Sequence, residues 1–144
     1  MKLNNGMYCC SYLTNDSLSI LENFLSQLNL SKKTSYDFHV TIMFSKILPR
    51  SIKRNTSNIT IRCFHFQILK DNLVLSGYSP LLLNRHNKWI DLGCEYTFDG
   101  YQPHITIIEN CYNELTQKQI DYLLQLQFSL DLQIGSEIIS NLKS

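Results

Sequence analysis

Two copies of one short pattern constrain the fold of this chain more than any other feature of its sequence. The first copy, YDFHVTI, spans residues 36–42, and the second, YQPHITI, spans residues 101–107, so the copies lie 65 residues apart. Each is an apolar strand pattern interrupted by a histidine and, two residues later, by a threonine. Because side chains alternate faces along a strand, His39 and Thr41 share one face, as do His104 and Thr106. The repetition predicts two similar half-domains that meet at a cleft, each contributing one His/Thr pair.

The length and composition of the chain indicate an ordinary globular protein. With 144 residues, 44% of them hydrophobic and 17% charged, the chain can bury a sizeable core, and we expect residues 1–144 to form a single domain. A net charge of +1 provides no long-range attraction for polyanions, so we expect no binding to long nucleic acid. The N-terminal residues lack the apolar run of a signal peptide, and no stretch reaches membrane length. We therefore expect a cytoplasmic protein, monomeric and without a membrane partner.

The sequence carries no pattern typical of a metal centre or a phosphate-binding loop. Its five cysteines are odd in number and include no C-x-x-C pair, which argues against a disulfide framework and against a zinc site. It also has no carboxylate cluster of the kind that magnesium needs and no glycine-rich phosphate loop. We predict buried free cysteines and no metal or other cofactor.

Hydrophobic periodicity and turn signals predict helices interspersed among strands. Helices are predicted over residues 17–28, 80–92 and 115–126. Strands are predicted over residues 7–13, 37–45, 58–69, 73–78, 101–109, 128–134 and 137–142. Asn15 or Asp16 is expected to cap the first helix, Ser79 followed by Pro80 to begin the second, and a turn at residues 99–100 to precede the second motif. This mixed order predicts an α+β fold with an internal two-fold repeat.

A basic segment follows the first motif. Residues 46–54, KILPRSIKR, contain four basic side chains, are interrupted by Pro49 and show no regular period. The segment is interpreted either as a cationic flap over an anionic ligand or as a solvated surface loop. The sequence leaves these two interpretations open.

Two histidines and two threonines facing one cleft suit the cleavage of a phosphodiester. Free histidine titrates near pH ~6.5, so at neutral pH one ring of a pair can be neutral while the other is protonated. The neutral ring can take a proton from the attacking hydroxyl and the protonated ring can give one to the departing oxygen, each step contributing about 10²- to 10⁴-fold. The threonine hydroxyls would donate to the non-bridging oxygens. The sequence does not distinguish the acid from the base.

Three other side chains are candidates for a site but are assigned structural positions. His65 is expected on a strand face, and His86, in the polar run of residues 84–88, at an exposed helix position. Trp89 falls at helical spacing with Leu82 and is expected in the core rather than stacked on a base. No spacing predicts that the four histidines converge on a metal.

The paired motifs resemble the signature of the two-histidine phosphoesterase superfamily, whose members carry two His-x-Thr/Ser motifs. Within that superfamily the chain is similar to the phage anti-CBASS nucleases, which degrade the cyclic oligonucleotide messengers of bacterial immunity. The resemblance implies a bilobal α+β fold, with two pseudo-symmetric halves of antiparallel or mixed sheet and flanking helices around a central cleft. It also implies functional roles for six residues. The catalytic group is His39, Thr41, His104 and Thr106, and the substrate-binding group is Tyr8 and Glu137.

The activity that the resemblance implies is cleavage of 3′–5′ linkages in cyclic di- and trinucleotides, in the host bacterial cytoplasm if the protein is encoded by a phage. Two alternatives stay open at this point. One is an enzyme of the same superfamily that acts on 2′–5′ oligoadenylate or on 2′,3′-cyclic phosphate ends of RNA. The other is a module that sequesters a nucleotide without cleaving it.

Overall fold

The computed structural model describes residues 6–34, 36–98 and 100–141. Its elements, in chain order, are β1 Met7–Tyr12, α1 Asn15–Gln27, β2 His39–Ser45, β3 Ile59–Leu69, β4 Asn72–Tyr78, α2 Pro80–Asp91, β5 His104–Ile108, α3 Gln117–Gln125, β6 Leu130–Ile134 and β7 Ile138–Asn141. A 3-10 turn, Cys111–Asn113, lies between β5 and α3. This composition confirms the predicted α+β class. Asp99 of the predicted turn and Leu142 of the last predicted strand lie outside the described residues.

The strands form two sheets, and the two motif strands lie where these sheets meet. One sheet has the order β2-β1-β7 and the other the order β5-β4-β3-β6. Every pairing between these strands is antiparallel. β2 and β5 lie at sheet edges and contact each other. The predicted bilobal architecture is therefore confirmed, with one motif on the edge strand of each sheet.

The unit β1-α1-β2 recurs as β4-α2-β5. The helix caps Thr14 and Ser79 are 65 residues apart, as are the motif histidines. In each cap, the hydroxyl oxygen accepts a hydrogen bond from the backbone N–H three residues later. The prediction of Ser79 is confirmed, whereas the cap predicted at Asn15 or Asp16 is wrong because the Thr14 hydroxyl already supplies that bond.

Core packing fixes which way each motif strand faces. Val40 and Ile42 on β2, like Ile105 and Ile107 on β5, are completely buried in one hydrophobic cluster that draws on both sheets. Burying each such side chain stabilises the fold by about 1.5–3 kcal/mol, and a register slip of one residue would place the histidines in the core instead. The His/Thr face of each strand is half-buried. Trp89 is fully buried, which confirms its predicted place in the core.

Each motif strand also carries a β-bulge immediately after its threonine. On each strand, the threonine pairs with one residue of the neighbouring strand, and the residue two positions after the threonine pairs with the adjacent one. The residue between them is therefore the extra residue of the bulge, Ile42 on β2 and Ile107 on β5. A bulge bends the strand and redirects the side chains around it. The shared position of the bulge means that the two His/Thr pairs are presented by the same backbone feature.

None of the helices within the described residues is long and apolar enough to cross a membrane.

Gly77 on β4 provides a test of the packing between the strands of the larger sheet. A Cβ added there would lie 2.5 Å from the carbonyl oxygen of Arg62, whereas the nearest atom to a Cβ at Gly135 would be 3.9 Å away. We predict that Gly77→Ala lowers the free energy of unfolding by about 1–3 kcal/mol through overpacking. The matched substitution Gly135→Ala should leave it unchanged or raise it by about 0.4–1 kcal/mol. Urea denaturation of both variants provides the measurement, and equal stabilities would contradict the prediction.

Candidate active site

Both motif histidines are oriented in the same way, by a backbone carbonyl two residues earlier. Nδ1 of His39 lies 2.8 Å from the carbonyl oxygen of Asp37, and Nδ1 of His104 lies 2.8 Å from that of Gln102. A carbonyl oxygen only accepts hydrogen bonds, so Nδ1 of each ring must carry the proton. Nε2 is therefore the atom of each ring that can exchange a proton with a ligand.

The surroundings of His104 affect its protonation. Burial lowers the pKa of His104, the hydrogen bond to the Gln102 carbonyl opposes this shift, and the charge of His39 lowers the pKa further. These surroundings favour the neutral form of His104.

Both threonines line a cavity of about 380 Å³ together with His104. Thr41 comes from β2 and the other two side chains come from β5, so this cavity is built from both motifs. The two halves of the fold meet at this cavity, whereas His39 of the first pair lines another one.

His39 lines a second cavity, of about 440 Å³, among aromatic side chains. The ring centroids of Tyr8, Tyr12 and Tyr36 lie 6.5, 5.7 and 6.4 Å from that of His39. The Tyr8 hydroxyl lies 2.8 Å from the Thr41 hydroxyl. Tyr8 therefore connects the second cavity, which it lines, to the first, which Thr41 lines. The structure brings Tyr8 together with the motif residues, and its contact with substrate stays a prediction.

Two residues of the second half bind the backbone of the first motif strand. The Tyr101 hydroxyl donates a hydrogen bond of 2.7 Å to the carbonyl of Thr41, and Nδ1 of His86 donates one of 2.7 Å to the carbonyl of Ile42. The rings of His86 and Tyr101 are stacked, with centroids 4.0 Å apart and an interplanar angle of 4°.

The exposed position predicted for His86 is wrong, since only 6% of this residue is exposed. Its polar neighbours in the sequence suggested contact with solvent. Helical periodicity places His86 on the buried face of α2 with Leu82 and Trp89. The spacing of these three residues could therefore have predicted that His86 is buried. Tyr101 was visible as the first residue of the second motif, but nothing in the sequence pointed to its hydrogen-bond partner.

Glu137, predicted to contact substrate, lies immediately before β7 and is 1% exposed. Its carboxylate accepts hydrogen bonds of 2.8 and 2.7 Å from Arg85 on α2 and one of 2.9 Å from the backbone N–H of Asn55. Arg85 also donates to the carbonyl of Lys53. These bonds join α2, the entry to β7 and the segment before β3. A direct substrate contact would have to reach a buried carboxylate that already has partners, and it stays a prediction.

The basic segment of residues 46–54 contains no helix or strand, as predicted. Its Arg50 donates through the backbone N–H to the carbonyl of Leu92, and through its guanidinium to the carbonyl of Asp91. The segment is thus attached to the C-terminal end of α2. A flap over a ligand and a solvated surface loop stay the two interpretations of this segment.

The remaining histidine and the cysteines occupy structural positions. His65 lies on β3, confirming its predicted strand position, and pairs across the sheet with Ser76, which in turn pairs with His104. All five cysteines are free and buried, as predicted. Among the described residues, no group of three or more His, Cys, Asp or Glu side chains is arranged to hold a metal ion.

A family model described as anti-CBASS protein Acb1 matches residues 5–144 of this chain. The matched segment contains both motifs, all the helices and strands, and the basic segment.

The ion pair between Arg85 and Glu137 generates a prediction about stability. Removing one charge from a buried pair leaves the other without a partner and costs about 3 kcal/mol. We therefore predict that Glu137→Gln lowers the free energy of unfolding by about that amount. The matched control is Asp131→Asn. The Asp131–Arg62 pair lies on the surface and should contribute nothing measurable to the free energy of unfolding. Urea denaturation at pH 7 should separate the two variants, and a similar small loss in both would contradict the prediction.

Proposed function

This chain belongs to the anti-CBASS protein Acb1 family, and we therefore propose that it is a metal-independent phosphodiesterase that cleaves 3′–5′ linkages in cyclic di- and trinucleotide messengers. Family membership supports a role in evading bacterial immunity and an interaction with cyclic oligonucleotides. One observation carries the chemistry. The two motif histidines are held alike through Nδ1, which leaves Nε2 of both rings available for proton transfer.

In the proposed reaction His104 is the base and His39 the acid. Nε2 of His104 takes the proton of the ribose 2′-hydroxyl as its oxygen forms a bond to the neighbouring phosphorus. The bond from phosphorus to the 5′-oxygen breaks, and Nε2 of His39 gives that oxygen a proton. The lowered pKa of His104 supports this assignment, because a base must be neutral before it can act. Proton exchange with water then restores both rings.

Thr41 and Thr106 would stabilise the charge that develops on the non-bridging phosphate oxygens. Burial raises the pKa of Tyr8, which keeps its hydroxyl protonated and able to donate to Thr41. The Thr41 hydroxyl can then direct its own proton to the phosphate. Tyr8 would thus contact the substrate as a residue that lines the second cavity, and it would also act through its hydrogen bond to Thr41.

The two cavities fit a ligand with a base on either side of the phosphate. Their volumes of about 440 and 380 Å³ are typical of small-molecule sites. Tyr12 and Tyr36 line the second cavity, with His39, and Tyr96 and Phe98 line the first, with His104. Stacking on aromatic side chains contributes about 1–3 kcal/mol per base and tolerates different bases.

Single substitutions of the motif residues test the catalytic assignment. We predict that His39→Ala and His104→Ala each lower turnover of cyclic di- and trinucleotides by about 10²- to 10⁴-fold, because each ring has a separate proton to transfer. Thr106→Val should also lower turnover, whereas Thr106→Ser, which keeps the hydroxyl, should retain most of it. The matched control is Thr60→Val, at an exposed position on β3. Products are separated by chromatography after incubation with EDTA present.

The same assay distinguishes the alternatives. Turnover of 2′–5′ oligoadenylate, or of RNA ending in a 2′,3′-cyclic phosphate, with none of cyclic dinucleotides would overturn the proposed substrate. A protective effect in infected cells that survives both histidine substitutions would point to sequestration without cleavage.

The pH dependence of the rate provides a further prediction. The base must be deprotonated, so kcat/KM should rise as the pH increases through the pKa of the base. Because burial lowers the pKa of His104, this acidic limb should lie below pH ~6.5, the value of free histidine. The rate should fall again at higher pH as the acid loses its proton, and the two limbs belong to the pair as a whole. A flat profile between pH 5 and 9 would contradict paired acid–base catalysis.

A further inference from the structure

The bulge that follows Thr41 is bound by two side chains from the other half of the fold. The carbonyls of Thr41 and Ile42 are consecutive, and each accepts a side-chain hydrogen bond of 2.7 Å, from Tyr101 and from His86 respectively. A bulge disrupts the regular ladder of a sheet, so its backbone groups need other partners. These two donors control the backbone at the point where Thr41 is presented to the cleft.

The two donors form a rigid aromatic group. The rings of His86 and Tyr101 are stacked face to face, and the ring of Tyr96 meets both of them edge-on, at 4.7 and 5.8 Å. Burial raises the pKa of Tyr101, so its hydroxyl remains a donor. Because a carbonyl can only accept, Nδ1 of His86 carries its proton whether the ring is neutral or charged. Neither bond therefore depends on the charge of His86.

The first half of the repeat shows that this arrangement is not needed to build the fold. The residue 65 positions before His86 is Leu21, which is completely buried. The counterpart of Tyr101 is Tyr36, which is 66% exposed. At the second bulge, the carbonyl of Ile107 accepts a hydrogen bond from the backbone N–H of Lys33. An apolar residue and a backbone donor are therefore sufficient to build the fold around the second bulge. Folding alone does not explain why a buried imidazole occupies position 86.

We propose that His86 and Tyr101 are positioning residues that hold the bulge of β2 so that the Thr41 hydroxyl meets the phosphate. The proposal rests on the phosphodiesterase function proposed above. Misplacing a catalytic group by about 1 Å can cost about 10²-fold in rate. Two hydrogen bonds to adjacent carbonyls restrain both the position and the orientation of this peptide segment. Their effect on catalysis passes through Thr41 and its partner Tyr8.

Tyr101→Phe is the sharpest test, because it removes one hydroxyl and keeps the stacked ring. We expect kcat for a cyclic dinucleotide to fall about tenfold or more while KM changes by less than about twofold. In a Thr41→Val background, adding Tyr101→Phe should lower kcat by less than about twofold, since the residue through which it acts is already lost. Tyr112→Phe, at an exposed tyrosine, is the matched control and should leave kcat unchanged.

Position 86 supplies an independent variant. His86→Leu introduces the residue found at the equivalent position of the first half, so it should fold, and we expect kcat to fall about tenfold. His86→Asn keeps an N–H donor near the position of Nδ1 and should restore kcat to within about threefold of the wild-type value. Urea denaturation of each variant separates loss of activity from loss of folded protein.

The outcomes distinguish this inference from the function on which it rests. If the wild-type protein cleaves cyclic dinucleotides and neither Tyr101→Phe nor His86→Leu lowers kcat, the positioning role is overturned and the function stands. If Tyr101→Phe lowers kcat by the same factor in the Thr41→Val background as in the wild-type protein, the positioning role is overturned too. A wild-type protein without turnover would overturn the proposed function, and the positioning role with it.

Discussion

This structure depends on one constraint: β2 and β5 each bury one face in the core and carry the histidine and threonine of the motif on the other. On each strand, two isoleucine or valine side chains are completely buried on one face, and the histidine and threonine of the motif lie half-buried on the other. Because the side-chain period of a strand is two, the core that stabilises the strand also decides where the histidine points. The carbonyl two residues earlier then fixes the rotation of the ring. Folding energy and site geometry are in this way set by the same few residues.

The repeat creates two similar halves, and the proposed chemistry depends on how they differ. Both histidines have the same backbone partner and precede the same bulge, so symmetry alone would give two equivalent rings. Burial lowers the pKa of His104, and the charge of the other ring adds to this shift. In the proposed reaction this shift is what identifies His104 as the base, although both rings come from one repeated element. Two motifs with the same pattern do not reveal such a shift.

Sequence patterns predicted the parts of this fold that depend on local chemistry. The alternation around His39 and His104 identified both motif strands, and the pair Ser79-Pro80 identified the start of α2. The predictions that fail concern competition between neighbours or burial at long range. Thr14 takes the cap position ahead of Asn15, and its hydroxyl accepts the hydrogen bond from the backbone N–H of Ser17. The carbonyl that binds His86 is 44 residues away in sequence, and no local pattern contains that information.

α2 shows how this protein couples its stability to the geometry of its cleft. From one helix, Arg85 binds the carboxylate before β7, and His86 binds the backbone at the bulge of β2. A helix optimised for stability alone would present apolar side chains at such positions, as α1 does at Leu21. Burying an imidazole and an ion pair costs desolvation, which their hydrogen bonds offset only when the geometry is good. These hydrogen bonds are directional, so they restrain the position of a backbone segment more tightly than apolar contacts can. We therefore interpret the buried His86 of α2 as a means by which one half of the fold holds the motif strand of the other.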